Sequence, residues 1–258
     1  MKLLFGPAGT GGDTYKGLKV IASKGLDCCE IQFSHGVMMK NPLAKEIGEL
    51  NKELKLSLSV HAPFYINLNS KEKAKVHASK KRILDSCERA HHIGAKEIVF
   101  HAGFYMDVSK EETYRNIKKE IIDLQKTIKK NKWNVILCPE TTGKGSQFGD
   151  LEELTRLAKE TGCGVCVDFA HLLARYNGEM TYDEMARKSK KIKIITTHFS
   201  GVIWGPKGER MHKLTPNDET KKLLKALKKN NLSVRIINES PDTLGDAIKM
   251  KKIWKTIV

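Results

Sequence analysis

The chain has 258 residues, of which 40% are hydrophobic and 29% charged, and its 46 basic and 30 acidic residues give a formal net charge of +16. No apolar stretch approaches the roughly 20 residues of a membrane span, and the opening MKLLFGPAGTGG lacks the layout of a signal peptide. These features argue against a membrane or secreted protein, and we expect a soluble, cytoplasmic chain that forms a single domain over residues 1–258.

Eight strand patterns alternate with eight helix patterns along the chain. The strands are predicted near 2–5, 28–33, 55–61, 95–101, 134–140, 163–168, 192–198 and 232–239. The helices are predicted near 14–24, 42–53, 71–93, 110–130, 150–161, 180–189, 217–229 and 243–254. Ser70, Ser109 and Asp150 are helix-start residues, and Gly94 and Gly162 are helix-end residues. Strict alternation predicts a parallel sheet covered by helices, and eight units favour a closed (β/α)8 TIM barrel over an open sheet.

Residues of the metal-ligand type stand where the predicted strands end. They are His61, His101, Glu140, Asp168 with His171, His198 and Glu239. In a parallel barrel the carboxyl ends of the strands converge on the catalytic face. Strand parity agrees, because Gly164, Cys166 and Asp168 share one face while Val165 and Val167 share the other. A single strand-end histidine is more often structural, but the convergence of so many predicts a polynuclear metal site.

The mixture of imidazoles and carboxylates suits zinc or manganese, and a carboxylate can bridge two ions in a site that hydrolyses phosphodiesters. A glycosidase with paired carboxylates would not need so many histidines, and no G-x-S-x-G elbow supports a serine hydrolase. The charge of +16 is explained equally well by a soluble lysine-rich surface or by a polyanionic partner. Together with a metal site, it favours a phosphate-bearing substrate. The six cysteines, five in predicted strands and one on a helix, are expected to be buried and reduced.

Six segments in this order resemble the endonuclease IV family of metal-dependent apurinic/apyrimidinic endonucleases, which are TIM barrels. They are HAPFYINL (61–68), FHAG (100–103), ETTGKGSQFG (140–149), VDFAH (167–171), HFSG (198–201) and NESPD (238–242), and the opening GPAG resembles archaeal-type members. The resemblance implies up to three zinc ions, with manganese as an alternative metal. His61, His101 and Glu140 would form the first site. Glu140, the bridging and catalytic carboxylate, would join the second-site ligands Asp168, His198 and Glu239.

The loop after strand seven departs from the family pattern. The family completes its third site, which would include His171, with an Asp-x-His from this loop, and the loop here is GPKGERMHKL. Glu209 and Met211 occupy that spacing. Because a thioether is a poor zinc ligand, we expect His212 to replace Met211 through a small shift of the loop, with Glu209 as its acidic partner.

The resemblance implies a monomer, with no protein partner, that cuts double-stranded DNA 5′ to an abasic site, leaving a 3′-hydroxyl and a 5′ deoxyribose phosphate. Such enzymes flip the damaged nucleotide out of the helix. Phe64 stands where the family places an aromatic wedge, with Tyr65 as its neighbour and alternative. Gln32 and His35, in the segment IQFSHGVMMK (31–40), match the location of a DNA-probing loop.

Two other functions fit parts of the same pattern. Metal-dependent sugar isomerases and epimerases share the fold, but they usually have acids where this chain has His61 and His101. A non-catalytic DNA-binding barrel would explain the altered loop at Met211. It would leave buried acids without a metal ion, which is energetically costly.

Overall fold

The computed structural model describes residues 1–257, which form ten strands and nine helices. The strands are β1 (Leu3–Pro7), β2 (Cys28–Gln32), β3 (Ser57–His61), β4 (Glu97–Phe100), β5 (Ile136–Pro139), β6 (Val165–Asp168), β7 (Ile195–Phe199), β8 (Gly201–Gly205), β9 (Gly208–Lys213) and β10 (Val234–Asn238). The helices are α1 (Thr14–Ser23), α2 (Asn41–Leu54), α3 (Lys73–Ile93), α4 (Lys110–Lys130), α5 (Leu151–Thr161), α6 (Phe169–Arg175), α7 (Tyr182–Ser189), α8 (Asn217–Lys229) and α9 (Thr243–Lys255).

Eight of these strands close a parallel barrel. Two four-stranded ladders, in the orders β1-β10-β7-β6 and β2-β3-β4-β5, form its halves. Parallel bridges from Ala8 to Glu30 and from Glu140 to Cys166 join the two halves. The predicted (β/α)8 TIM barrel is therefore confirmed.

The two faces of the barrel strands have different side chains, as their period of two predicts. Val165 and Val167 belong to the main core between sheet and helices. Cys166 instead packs with Val99 and Cys138 in a separate cluster. Small residues are required there, because a Cβ added at Gly164 would lie 2.6 Å from the Cys138 sulfur.

Local signals account for several helix ends. Asp150 and Glu153 form a capping box at α5, and Ser109 caps α4. Gly94 and Gly162 end α3 and α5 in the left-handed conformation, at φ 80° and 74°. The prediction at Ser70 was wrong, because α3 begins at Lys73.

Two elements are absent from the sequence prediction. The short helix α6 follows β6 directly, and the antiparallel β8–β9 hairpin follows β7. Both therefore lie at the carboxyl end of the barrel, where the ligand-type residues are found.

All six cysteines are buried and free, as predicted. Burial raises the pKa of the Cys163 thiol to about 11 and raises those of the other five further. Within residues 1–257, no helix combines the length and apolar character needed to cross a membrane.

Candidate metal centre

Glu140 lies at the centre of the strand-end residues and is 1% exposed. Its Oε2 is 3.1 Å from Nε2 of both His61 and His101. Its Oε1 is 3.1 Å from Nδ1 of His198 and 3.3 Å from Nδ1 of His171. One carboxylate thus contacts four imidazoles, three at the ends of β3, β4 and β7 and one on α6, which follows β6. This is the arrangement in which a carboxylate can serve more than one ion.

Backbone carbonyls fix the orientation of three histidine rings. Nδ1 of His61 donates to the carbonyl of Ala62 at 2.7 Å, and Nδ1 of His171 donates to that of Thr141 at 2.9 Å. Nδ1 of His212 donates to the carbonyl of Glu239 at 2.9 Å. Each bond directs Nε2 at the other ligand-type residues, so that Nε2 is the nitrogen that a metal ion would take when the ring is neutral, as in metal-binding histidines of known sites.

A second group surrounds His198, which is fully buried. Nδ1 of His198 lies 3.4 Å from Oε2 of Glu239, in addition to its contact with Glu140. Asp168 caps α6 by accepting the amide of His171 with Oδ1 at 2.8 Å. Ligand atoms of Glu140, Asp168, His198 and Glu239 all lie within 4.8 Å of one another.

A third group forms where the β8–β9 hairpin meets α6. Nε2 of His171 lies 3.3 Å from Oε2 of Glu209 and 3.4 Å from Nε2 of His212. Nε2 of His212 is 3.5 Å from Oε1 of Glu209. Met211 instead has a side chain that is 59% exposed. The residues expected at a third site thus lie together, and Met211 lies outside them.

A β-bulge is the reason that His212, rather than Met211, lies in this third group. Glu209 pairs with Trp204 and His212 with Val202, whereas Met211 pairs with Ile203. Residues 209 and 211 would share a face in a regular strand, but the extra residue in between shifts the alternation. Glu209 and His212 therefore share a face, although they are three positions apart.

Two glycines fix the hairpin against the loop after β5. The amide of Glu209 donates to the carbonyl of Gly143 at 2.9 Å. A Cβ at Gly208 would lie 2.1 Å from that carbonyl oxygen, and φ at Gly208 is +91°. A larger residue at position 208 would push Glu209 away from His171.

The carboxylates and imidazoles shift one another's ionisation. Burial opposes protonation of His61, but the hydrogen bond and charge of Glu140 prevail and raise its pKa to about 9. Burial opposes ionisation of Glu140, yet the charges of His198 and His101 hold its pKa well below the usual range. The pKa of Glu239 falls to about 2 because His198 outweighs burial in the same way. The pKa of Asp168 is raised, chiefly by burial.

These residues fit divalent metal ions. Within residues 1–257, the buried Oδ2 of Asp168 has no hydrogen-bond partner, although it lies 3.4 Å from Nδ1 of His171, so it has unused capacity as an acceptor at the cluster. Imidazole nitrogens and carboxylate oxygens are the donors that zinc and manganese accept in proteins. A cavity of about 290 Å³ opens onto the cluster.

Glu30 belongs to the centre and was missed by the sequence prediction. It is fully buried in the middle of β2, with Oε1 3.0 Å from Nε2 of His198. The signal was available, since a carboxylate inside the apolar strand CCEIQ needs a polar partner.

The residues predicted to contact DNA form one aromatic edge beside the cavity. Phe64 and Tyr65 are 58% and 61% exposed. The centroid of the His35 ring lies 6.1 Å from that of Phe64 and 6.4 Å from that of Tyr65. The amide of Phe64 donates to the carbonyl of Ser34 at 3.0 Å, which joins the loops after β2 and β3. Gln32 lines the cavity.

Comparison with known proteins yields a family and two kinds of relative. Residues 18–255 match the family described as xylose isomerase-like TIM barrel. An uncharacterized protein of Methanocaldococcus jannaschii is 36% identical over 271 aligned residues, which cover 99% of this chain and 98% of that protein. Probable endonuclease 4 of Mesomycoplasma hyopneumoniae (strain 7448) is 33% identical over 141 residues, or 53% of this chain. The match spans 49% of that endonuclease's own length.

Solved structures of two different activities share the fold. Endonuclease IV from Thermus thermophilus has a TM-score of 0.74 at 17% identity, with 100% of both chains covered. A D-tagatose 3-epimerase-like protein has a TM-score of 0.73 at 20% identity, covering 99% of this chain and 96% of that one. The fold is thus common to nucleases and epimerases. The family match over nearly the whole barrel shows that this chain belongs to the xylose isomerase-like TIM barrel family.

Proposed function

We propose that this protein is a cytoplasmic DNA-repair endonuclease that uses divalent metal, acts as a monomer, and cleaves the phosphodiester 5′ to an abasic site in duplex DNA. The products are a 3′-hydroxyl and a 5′ deoxyribose phosphate. The observation that carries the proposal is the contact of Glu140 with four histidines, beside the third group formed by His171, Glu209 and His212.

Zinc is the metal we propose, at up to three positions. His61, His101 and Glu140 would hold the first ion; Glu140, Asp168, His198 and Glu239 the second; and His171, Glu209 and His212 the third. Bound ions would supply a water nucleophile at neutral pH and offset the negative charge that develops on a phosphodiester. Manganese fits the same oxygen and nitrogen donors.

The surrounding residues would position the DNA. The exposed rings of Phe64 and Tyr65 can stack on bases or enter the helix at the damaged position, where unstacking costs least. His35 lies against both rings, and Gln32 extends the edge to the cavity wall. The net charge of +16 supports a polyanionic substrate.

The resemblance to epimerases gives a specific competitor, which His61 and His101 argue against. Both contact Glu140 at strand ends, where metal-dependent sugar isomerases and epimerases of this fold usually have acids. A metal site of this composition suits a phosphodiester better than a neutral sugar.

The test is cleavage of a duplex oligonucleotide that carries one abasic-site analogue, before and after treatment with a chelator. The expected result is a single incision 5′ to the lesion, lost on chelation and restored by zinc, with the undamaged duplex as control. Absence of incision by protein shown to contain metal would contradict the proposal. Epimerisation of a ketose by the same preparation would support the competitor instead.

A further inference from the structure

His198 is oriented differently from the other histidines of the centre. His61, His171 and His212 give their Nδ1 proton to a backbone carbonyl and turn Nε2 toward the cluster. His198 turns Nδ1 toward Glu140 and Glu239, at 3.1 Å and 3.4 Å. Its Nε2 must therefore carry the proton when Nδ1 binds an ion, and that proton needs an acceptor elsewhere.

The carboxylate of Glu30 lies within reach of this nitrogen. Its Oε1 lies 3.0 Å from Nε2 of His198, and in residues 1–257 no other basic side chain is within 4.0 Å of Glu30. Its Oε2 accepts a hydrogen bond from the hydroxyl of Ser59 at 2.9 Å, and its Oε1 accepts one from the side-chain amide of Gln32 at 3.0 Å. Two neutral donors thus hold a fully buried carboxylate beside one imidazole.

Burying a carboxylate costs free energy unless its charge is paired or hydrogen-bonded. Within residues 1–257, Nε2 of His198 has no hydrogen-bond partner, although Oε1 of Glu30 is 3.0 Å away. The carboxylate is thus close to the nitrogen but does not accept a hydrogen bond from it in this geometry. Fixing Nδ1 on an ion would leave the proton on Nε2, next to an acceptor that is already anchored.

We propose that Glu30 is a positioning residue of the metal centre: it accepts the Nε2 proton of His198 and so holds this imidazole in the tautomer whose Nδ1 is free to bind the divalent ion. The inference rests on the metal centre of the proposed function. A carboxylate partner also makes the imidazole more basic than a carbonyl partner does, so that Nδ1 is a stronger ligand for the metal ion. Glu30 would therefore increase the affinity of the ion that His198 binds.

The first test is zinc affinity, measured by competition with a chromophoric chelator on the full chain. Glu30→Gln keeps the shape but removes the charge, and we expect it to weaken binding of one ion about 10–100-fold, the usual cost of losing an outer partner. Ser59→Ala is the matched control, because it removes a neighbour of Glu30 but keeps the carboxylate on His198. It should change the affinity little. Unchanged affinity in folded Glu30→Gln protein would overturn the inference.

The second test needs no variant to fold. In zinc-loaded wild-type protein with ¹⁵N-labelled histidine, NMR should show Nδ1 of His198 bound to metal and Nε2 protonated. Coordination through Nε2 would refute the role of Glu30. Where Glu30→Gln folds, its His198 signals should also depart from this single tautomer, a change that a merely structural role would not cause.

These readouts separate the inference from the nuclease activity. Wild-type protein that binds zinc but cuts no abasic DNA would refute the proposed reaction and leave the test of Glu30 intact. Normal cleavage with equal zinc affinity in Glu30→Gln would refute the inference alone. Wild-type protein that binds no zinc would refute both.

Discussion

At the residue scale, Glu140 has the most contacts with other ligand-type side chains. Both of its oxygens face two imidazoles each, and its pKa is held well below the usual range by His198 and His101 despite burial. The carboxylate is therefore ionised at neutral pH, and it could hold ions without first losing a proton.

Glu140→Gln should abolish cleavage and leave the fold intact. The amide has the same shape but cannot bridge ions by charge, so the loss should exceed the roughly 10–100-fold cost of removing an outer partner. Single-turnover assays measure cleavage, elemental analysis measures the metal content, and circular dichroism reports the fold. Glu46→Gln, at an exposed position on α2, is the control. Retained activity would rule out a bridging role.

Adjacent residues on β9 offer a second test. His212→Ala should lower bound metal by about one ion, because its Nε2 faces His171 and Glu209. Met211→Ala should leave the metal content unchanged, since that side chain is 59% exposed and on the other face of the hairpin. Elemental analysis of both purified variants measures the number of metal ions bound per chain. Equal metal content in the two would remove His212 from the centre.

At the element scale, the bulge on β9 compensates for a difference in spacing. Deleting Arg210 leaves Glu209 and His212 two positions apart on a regular strand, where they again share a face. We expect this deletion to keep both the metal content and the cleavage rate. Arg210→Ala, which keeps the bulge, is the control for loss of the side chain. If the deletion costs an ion while Arg210→Ala does not, the irregular backbone itself is needed.

The elements also show why prediction from sequence succeeded in part. The barrel strands were predictable because period-two alternation fixes which residues share a face, as at Cys166 and Asp168. Helix α6 was missed because its seven residues begin directly at the strand end, with the ligand-type residue Asp168 as N-cap. The hairpin was missed because exposed strand residues such as Met211 carry no apolar alternation.

Side-chain orientation lay beyond prediction for a different reason. The ring directions of His61 and His171 depend on carbonyls of particular neighbours, Ala62 and Thr141. The contact between Glu30 and His198 joins residues 168 positions apart in the sequence. Position at a strand end indicates that side chains converge, but only their packing determines which nitrogen each ring presents.

At the scale of the whole molecule, the histidines should link stability to pH. The folded-state pKa of His61, about 9, exceeds the usual 6.5, so its protonated ring stabilises the metal-free fold below pH 6.5. This contribution is lost as pH rises through about 9, and the pKa values of His171 and His198 are raised in the same direction. The metal-free Tm should therefore fall between about pH 6.5 and 9.

Zinc should reverse this trend, because its ligands must be unprotonated. The increase in Tm on adding zinc is expected to grow with pH across the same range. Thermal melts in chelator and in excess zinc at three pH values measure both quantities. A metal-free Tm that stays level, or a zinc effect that shrinks with rising pH, would contradict the assignment of these histidines to one coupled cluster.

The burial of all six cysteines has a practical consequence for labelling. Thiol reagents attack the exposed thiolate, and in this protein burial raises every thiol pKa. The folded wild-type chain should therefore resist maleimides. A Phe64→Cys substitution, at a side chain that is 58% exposed, would introduce a single reactive position at the aromatic edge. A fluorophore attached there could report the approach of a nucleic acid without removal of any native cysteine.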